Sequence, residues 1–441
     1  MAVTLAVTLA VALVVPAAAA ATGSGCGARA VTVPGAAYQE SACLADLTTT
    51  GTLATGHTVA ADWAGLTSAG LPVPGPVPGL QIDGYFPDDS TTNTNHGWNH
   101  DAQFVLRLPR NWNGGLVVTG SPGNRRQYAN DRAIADQVLA EGYAFAATDK
   151  GNTGSDFFTD GKQPGDAMAE WNFRVTQLTI AAKATLTRYY GRPPVRTLAA
   201  GLSNGGYLVR WQLENRPELY DGGVDWEGTL WTQQDNPLTF LPPALRGYPD
   251  DPQSIVDAGF APGSEFLWAY HYQVYWDLTQ RIYRAEFDPG YDGDLAAGIP
   301  FCTSGTPYCD ADYDYAARPP AVHRAVEKIA LTGRIGKPLI TLQGTLDSLL
   351  PISRDSDIYD RMIQAAGRGS LHRYYRIEDG NHVDGLVDTY PDLLRPLAPC
   401  FRSAFAALEG WLNGRQPPRS ATIARPAGAS PAELAASCTL S

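Results

Sequence analysis

A glycine-flanked serine stands between a short apolar segment and a helical pattern, and this arrangement limits the folds open to the chain. Residues 197–201 have the composition of a buried strand, the run Gly201-Leu202-Ser203-Asn204-Gly205 forms a turn, and residues 205–214 have helical periodicity. Small residues two positions before and after a serine are needed where a strained turn brings a helix close to a strand. The pattern predicts that Ser203 is a nucleophile presented at the end of a strand.

Strand and helix patterns alternate on both sides of this turn. Alternation of this kind predicts an α/β fold, with a mostly parallel sheet and helices on both faces. The predicted strands are residues 81–85, 102–108, 116–119, 143–148, 197–201, 338–342 and 374–377. The predicted helices are residues 131–141, 171–190, 205–214, 358–366 and 401–411.

The alternation stops near Gly228 and resumes at Pro338, which predicts an inserted cap or lid domain of aromatic helices and turns. The tail is expected to be loose, except where Cys438 holds it. The predicted organisation is a signal peptide at 1–21, an N-terminal extension with a Pro-rich connector at 22–78, a first core part at 79–228, the cap at 229–333, a second core part at 334–415 and the tail at 416–441.

The N-terminal residues and the cysteines predict a secreted protein. Residues 2–15 form an apolar run that small residues follow at 17–21, which is typical of a signal peptide and its cleavage site. The run is shorter than the roughly 20 residues that a membrane-spanning helix needs. Six cysteines indicate disulfides in a secreted chain, and proximity in sequence favours the pairs 26–43, 302–309 and 400–438.

A serine nucleophile needs a base to remove its proton and an acid to orient that base. The strand at 338–342 leads to Asp347, and the strand ending at Ile377 leads into a Gly/Asn loop that contains His382. The carboxyl ends of neighbouring parallel strands share one edge of a sheet, so we expect His382 as the base and Asp347 as the acid. Asp225 and Glu227 lie after the next strand that follows the nucleophile turn, and they remain alternative acids.

An oxyanion hole is expected from two backbone N–H groups. One belongs to Asn204, directly after the nucleophile. The other comes from the loop Gly120-Ser121-Pro122-Gly123, in which Pro122 has no N–H, so Ser121 or Gly123 donates, and Ser121 is preferred. Gly120 and Trp226 are the predicted substrate contacts. The other aromatic residues of the cap either line an apolar slot or form the core of the cap itself.

Three further segments, together with the turn at Ser203, carry a family resemblance. The runs Leu108-Pro-Arg-Asn-Trp-Asn-Gly114, Thr148-Asp149, Tyr189-Tyr-Gly-Arg-Pro-Pro194 and Gly201-Leu-Ser-Asn-Gly-Gly206 resemble the tannase/feruloyl esterase family of α/β-hydrolases. The resemblance covers residues 100–228, and 335–412 more loosely. It implies the α/β-hydrolase fold, a secreted carboxylic ester hydrolase, a lid over the active site, and Ser203, Asp347 and His382 as the catalytic triad.

Two properties of the family bear on this chain. The family typically has a disulfide between cysteines next to the catalytic serine and histidine, where this chain has Leu202 and Val383, which indicates a divergent branch. The cap of the family often carries a structural calcium ion. Neither carboxylate set here matches a recognised calcium loop, so no metal or other cofactor is predicted; the sets are Asp288, Asp292 and Asp294, and Asp310, Asp312 and Asp314.

The sequence therefore predicts a serine esterase that acts through an acyl-enzyme on esters of aromatic or hydroxy acids. Its expected partner is a small-molecule or oligomeric ester. The Ser-Asn-Gly-Gly run also resembles hydrolases of hydroxyalkanoate oligomers and polyesters, and a serine peptidase or a secreted binding protein without catalytic activity are alternatives of other classes. With 33 Lys and Arg against 45 Asp and Glu, the net charge of −12 argues against nucleic acid or an anionic membrane as the partner.

Overall fold

The computed structural model describes Cys26 and residues 31–291 and 310–440, and a single mixed sheet runs through them. Its ten strands are β1 (Tyr38–Leu44), β2 (Gly79–Tyr85), β3 (Gln103–Pro109), β4 (Gly115–Gly120), β5 (Ala144–Thr148), β6 (Arg196–Leu202), β7 (Gly222–Trp226), β8 (Leu339–Gly344), β9 (His372–Ile377) and β10 (Ala421–Ile423). They lie in the order β1-β2-β3-β5-β4-β6-β7-β8-β9-β10. The pairs β1–β2, β2–β3 and β3–β5 are antiparallel, and the remaining pairs are parallel.

Helices cover both faces of the sheet, which confirms the predicted α/β class. The helices of the described residues are α1 (Thr49–Thr55), α2 (Asp136–Ala140), α3 (Asp166–Tyr190), α4 (Asn204–Asn215), α5 (Pro237–Gly247), α6 (Pro252–Ala258), α7 (Glu265–His271), α8 (Asp277–Phe287), α9 (Pro320–Glu327), α10 (Ser356–Ala365), α11 (Ala398–Leu412) and α12 (Pro431–Ala436). A single turn of π-helix at Asp131–Ala135 precedes α2, and another at Tyr272–Trp276 joins α7 to α8. None of these helices combines the length and the apolar character that a membrane span requires.

The apolar residues of the strands alternate between two hydrophobic clusters. In β4, Leu116 and Val118 belong to the cluster that contains residues of α3, α4 and α10, whereas Val117 belongs to the cluster that contains residues of α2 and α11. Successive side chains of a strand point to opposite faces, so one continuous apolar run supplies both clusters. This explains why the central strands read as uninterrupted apolar segments.

The chain between β7 and β8 contains α5 to α9. Part of this region forms a hydrophobic cluster of its own, to which Phe240, Leu245, Trp268 and Trp276 contribute. Leu349 and Leu350, which follow β8, pack into the same cluster. The helical region is thus joined to the loop that carries Asp347.

Both ends of the described chain add strands to the sheet. Strand β1 pairs with β2 along seven residues, so the N-terminal extension contains an edge strand as well as a connector. The prediction of a loose tail is wrong, because β10 pairs with β9 and α12 follows it. The disulfides Cys26–Cys43 and Cys400–Cys438 are present as predicted, while Cys302, Cys309 and the predicted signal peptide lie outside the described residues.

Candidate active site

Ser203 occupies the turn between β6 and α4, and its backbone is strained. Its φ of 58° and ψ of −124° lie outside the regions that residues other than glycine ordinarily adopt. A Cβ atom on Gly201 would lie 2.1 Å from the carbonyl oxygen of Gly205, and one on Gly205 would lie 2.5 Å from the carbonyl oxygen of Gly120. Only glycine fits at both positions, so the glycines of the sequence pattern follow from the close packing around this turn.

The structure brings Ser203, His382 and Asp347 together from the ends of three strands. Ser203 Oγ lies 2.9 Å from His382 Nε2, and His382 Nδ1 lies 3.0 Å from Asp347 Oδ2. Ser203 is 9 % exposed, His382 4 % and Asp347 1 %. The arrangement has the geometry of a nucleophile, a base and an acid that orients the base, and burial shields its hydrogen bonds from water.

Asp347 is held as a carboxylate by donors other than the imidazole. The backbone N–H groups of Leu349 and Leu350 each donate to Oδ1 at 2.8 Å, and the side-chain amide of Gln343 donates to Oδ2 at 3.1 Å. Hydrogen bonds to the charged form of a carboxyl group stabilise that form. Asp347 therefore places a fixed negative charge next to Nδ1 of His382.

The charge of Asp347 opposes the effect of burial on the pKa of His382. Burial alone would lower the pKa of the imidazole, but the charge and the hydrogen bond of Asp347 raise the pKa above its usual value of 6.5. The imidazolium that forms when the serine proton is transferred is thereby stabilised.

The two alternative acids have different surroundings. Asp225 is ion-paired with Arg210, whose Nε donates to Asp225 Oδ2 at 2.6 Å. Asp225 Oδ1 accepts from the Gly228 N–H at 2.7 Å. The ion pair joins α4 to β7, so Asp225 stabilises the packing of the helix on the strand. Glu227 instead points at the imidazole, with Oε2 at 3.3 Å from His382 Nδ1. His382 thus has two carboxyl groups next to the same nitrogen.

The prediction that Ser121 donates to an oxyanion is wrong. Its N–H donates to the carbonyl oxygen of Thr148 at 3.0 Å, as part of the connection between β4 and β5. Its hydroxyl donates to the carbonyl oxygen of Arg125 at 2.6 Å and accepts from Lys150 Nζ at 2.5 Å. Gly123, the alternative from the same loop, lines the cleft next to Ser203.

Asn204 is the first residue of α4, so its N–H has no acceptor within the helix, and it stays the predicted first oxyanion donor. Its side chain is fixed by three contacts. Nδ2 donates to the hydroxyl of Tyr283 at 2.7 Å and to the carbonyl oxygen of Gly123 at 3.2 Å, and Oδ1 accepts from the hydroxyl of Thr229 at 2.9 Å. Asn204 thereby connects the nucleophile turn to the loop at Gly123 and to α8.

Neither predicted substrate contact lines the cleft. Trp226 is fully buried, with its ring centroid 5.7 Å from that of Phe401 in α11. It belongs to the same buried apolar cluster as Val224 and Phe401, and it is not among the residues that line the cleft. Gly120 is also fully packed, because a Cβ atom there would lie 2.4 Å from Leu208 Cδ1 in α4. Both predictions are therefore wrong in this structure, and both residues serve packing around the nucleophile turn.

The cleft over Ser203 has a volume of about 330 Å³, which is in the range of small-molecule sites. One wall is formed by α8 and the segment before it, through Tyr270, Tyr275, Leu278, Ile282 and Tyr283. The other lining side chains of apolar character are Ala64, Leu66, Pro122, Phe157, Trp171, Val274, Leu349, Leu350 and Val383.

Sequence reasoning missed several of these residues. Phe157 and Trp171 lie before and within α3, and the sequence marks them only as buried aromatic residues. Leu349 and Leu350 have a clearer signal, because they follow Asp347 directly in the same loop. Leu66 comes from the predicted N-terminal extension, far from any motif, and no local pattern indicates its position at the cleft.

Two features that the family resemblance raises have structural counterparts. Leu202 and Val383, at the positions of the family's cysteine pair, belong to one buried apolar cluster. The described carboxylates of the possible calcium sets are engaged otherwise: Asp288 pairs with Arg318 at 2.5 Å and Asp310 pairs with Arg284 at 2.7 Å. Asp292 and Asp294 lie outside the described residues, and the expectation that the cap binds no metal stays a prediction.

Comparisons with known proteins agree with the sequence resemblance. The model of the tannase and feruloyl esterase family matches residues 90–233. The mono(2-hydroxyethyl) terephthalate hydrolase of Piscinibacter sakaiensis is 29 % identical over 141 residues, which are 29 % of this chain and 23 % of that protein. The match therefore spans about a quarter of the length of this relative.

Solved structures match over more of the chain. An esterase from Aspergillus oryzae has a TM-score of 0.50 at 13 % identity and covers 88 % of both chains, which supports the fold. The tannin acyl hydrolase of Aspergillus niger has a TM-score of 0.48 at 14 % identity, covering 85 % of this chain and 83 % of its own. Residues 90–233, which include the nucleophile turn, thus resemble the tannase and feruloyl esterase family, and the described residues have an α/β-hydrolase fold.

Proposed function

We propose that the protein is a carboxylic ester hydrolase in which Ser203 attacks the ester carbonyl and forms an acyl-enzyme. The continuous contact from Ser203 Oγ through His382 to Asp347, at 2.9 Å and 3.0 Å, carries this proposal. It is supported by the family match over residues 90–233 and by the esterase among the structures of similar fold.

The chemistry follows from the positions of the side chains. His382 Nε2 takes the proton of Ser203 as Oγ bonds to the carbonyl carbon, and the imidazolium then gives that proton to the leaving alcohol. Water repeats the sequence in the second half of the reaction and releases the acid. The developing oxyanion is stabilised by the N–H of Asn204 and by a second N–H from the loop at Gly123, each worth roughly 3–4 kcal/mol in the transition state.

We propose esters of aromatic or hydroxy acids as substrates. The apolar wall with Phe157, Trp171 and Tyr283 suits a ring or an aliphatic acyl chain better than a charged group. The relative whose name includes a terephthalate monoester, and the family whose name includes feruloyl esterase, support an aromatic acid. Hydroxyalkanoate oligomers or polyesters are the alternative, since the apolar walls also suit an aliphatic acyl chain.

A peptidase is less well supported by the charges at the cleft. Arg125 is the one cationic side chain among the described lining residues apart from His382, and its Nη1 donates to the carbonyl oxygens of Asp62 and Ala64 at 3.0 and 2.8 Å. It is therefore occupied in holding the N-terminal segment rather than placed to bind a peptide terminus. We also propose that the protein is secreted, as the two disulfides support.

Hydrolysis of p-nitrophenyl acetate by the wild type and by Ser203→Ala tests the reaction. We expect the variant to lose all activity above the uncatalysed rate, and wild-type turnover in the variant would refute the proposal. A panel of a gallate ester, a ferulate ester, a terephthalate monoester and hydroxybutyrate oligomers, compared by kcat/KM, tests the substrate class. An aminoacyl amide added to the panel tests the peptidase alternative.

A further inference from the structure

Two buried carboxyl groups face one nitrogen of the imidazole, although a catalytic triad needs only one. His382 Nδ1 lies 3.0 Å from Asp347 Oδ2 and 3.3 Å from Glu227 Oε2. One carboxyl oxygen of Glu227, one of Asp347 and one ring nitrogen of His382 lie within 4.8 Å of one another, and all three residues are buried. A single N–H donates to one acceptor at full strength, so the second carboxyl group needs an explanation.

The backbone of Glu227 aims its side chain at the imidazole. Glu227 follows the last residue of β7 with a φ of 52°, a conformation that is uncommon for a residue with a side chain. Its N–H donates to the carbonyl oxygen of Leu342 at 2.8 Å, and its Oε1 accepts from the N–H of Gly344 at 2.6 Å. Both ends of Glu227 are thus tied to β8, the strand that leads to Asp347, and Oε2 is left directed at His382.

The two carboxyl groups differ in how well their charge is stabilised. Among the described residues, Asp347 accepts hydrogen bonds from Leu349, Leu350 and Gln343 besides that of the imidazole, whereas Glu227 accepts one from Gly344. Two neighbouring carboxyl groups in a buried site do not both ionise readily. Burial, and then the charge of Asp347, hold the pKa of Glu227 well above its usual value. Asp347 therefore carries the charge, and Glu227 keeps a proton.

We propose that Glu227 is a second orienting acid for His382, protonated while Asp347 is charged and able to replace Asp347 when that charge is removed. In a chain without the Asp347 carboxylate, Glu227 releases its proton to solvent and accepts the hydrogen bond of Nδ1 through Oε2. Glu227 is a positioning residue, because it acts on the reacting atoms only through His382. The inference rests on the proposed role of His382 as the base.

A double-mutant cycle of Asp347→Asn and Glu227→Gln tests the proposal. The readouts are kcat and KM for p-nitrophenyl acetate and the rate at which a fluorophosphonate modifies Ser203. Removing the sole orienting acid of a triad costs roughly 10⁴-fold in kcat. We expect about tenfold or less for E227Q, about 10- to 100-fold for D347N, and the full loss of roughly 10⁴-fold only for the double variant, with KM changed little.

Coupling between the two sites separates this role from a merely structural one. If Glu227 only supports the fold, E227Q costs the same factor in the wild type and in D347N, and that additivity would overturn the proposal. A folded D347N that alone loses roughly 10⁴-fold would overturn it too, and this result does not require the double variant to fold. Thermal unfolding of each variant establishes that it is folded.

Glu286→Gln provides a matched control. Glu286 is also a buried glutamate, 2 % exposed, whose carboxylate accepts from a backbone N–H, that of Met168 at 3.1 Å. It lies in α8 and does not contact His382, so we expect E286Q to change the rates equally in the wild type and in D347N. If the effect of E286Q differed between the wild type and D347N as much as that of E227Q does, the specific role of Glu227 would be contradicted.

The two readouts distinguish failure of this proposal from failure of the proposed function. A wild type that reacts with the fluorophosphonate at Ser203 but hydrolyses no ester refutes the esterase proposal, and the modification rates of the four chains still decide the role of Glu227. A wild type that is not modified at all refutes both.

Discussion

The two sides of Ser203 are built in different ways. On one side, His382, Asp347 and Glu227 come from strand ends and act through side-chain atoms: the imidazole bonds to Asp347, and both carboxyl groups accept from backbone N–H groups. On the other side, the loop at Gly120–Gly123 is held by backbone hydrogen bonds and by Lys150, whose Nζ donates to Ser121 Oγ. The first side depends on residue identity at fixed positions, and the second depends mainly on the path of the main chain.

The largest expected effect of a single substitution on the acid–base side is that of His382→Ala. Without the imidazole, Ser203 has no group to accept its proton, and we expect kcat for p-nitrophenyl acetate to fall by roughly 10⁴-fold or more with little change in KM. Steady-state kinetics measures both values. A loss of only tenfold would show that another group serves as the base.

The pH profile gives the next largest effect. The charge of Asp347 raises the pKa of His382 above 6.5, and only the neutral imidazole accepts the serine proton. The kcat/KM of a neutral ester should therefore rise about tenfold per pH unit below the midpoint and level off above it, with the midpoint above pH 6.5. Circular dichroism across the same range controls for unfolding. A midpoint at or below 6.5 would contradict the account of this side.

A smaller effect is expected on the oxyanion side from Tyr283→Phe. Loss of the hydroxyl removes the 2.7 Å hydrogen bond that fixes the side chain of Asn204, and one such bond is worth about 0.5–1.5 kcal/mol. We expect kcat to fall by about 2- to 10-fold, because the Asn204 N–H is held less firmly. The control is Tyr313→Phe, which removes a hydroxyl bonded to Asp288 at 3.1 Å in the same helical region. Equal losses of kcat in both variants would contradict the specific role of Tyr283 in fixing Asn204.

The smallest kinetic effect is expected for Trp226→Phe. Trp226 packs against Phe401 and does not line the cleft, so kcat and KM should stay within about twofold while the melting temperature falls. Kinetics and thermal unfolding of the same sample check both parts. A rise in KM for an aromatic ester would return Trp226 to the role of a substrate contact.

The difference between the two sides also explains what the sequence predicts. Ser203, Asp347 and His382 follow strands that are recognisable by composition, and parallel strands bring their carboxyl ends to one edge whatever the details of packing. Ser121 was misassigned because the acceptor of its N–H, the carbonyl of Thr148, belongs to another strand. Trp226 was misassigned because its strand is buried on both faces, so alternation does not indicate which face meets the cleft.

Long-range pairing explains the other differences. Strand β10 has three residues and a Pro-rich neighbourhood, and it exists because β9 offers a free edge. Leu66 reaches the cleft through the fold of a segment without periodicity. Such contacts join residues that are distant in sequence, so no local pattern contains them.

The most direct test of the relay from Ser203 to Asp347 is the site of covalent modification. The wild type is treated with a fluorophosphonate, digested, and mapped by mass spectrometry while residual esterase activity is followed. We predict a single adduct on Ser203 that forms in step with the loss of activity, and no adduct in His382→Ala on the same time scale. An adduct on a different serine, or full activity after complete modification of Ser203, would contradict the account.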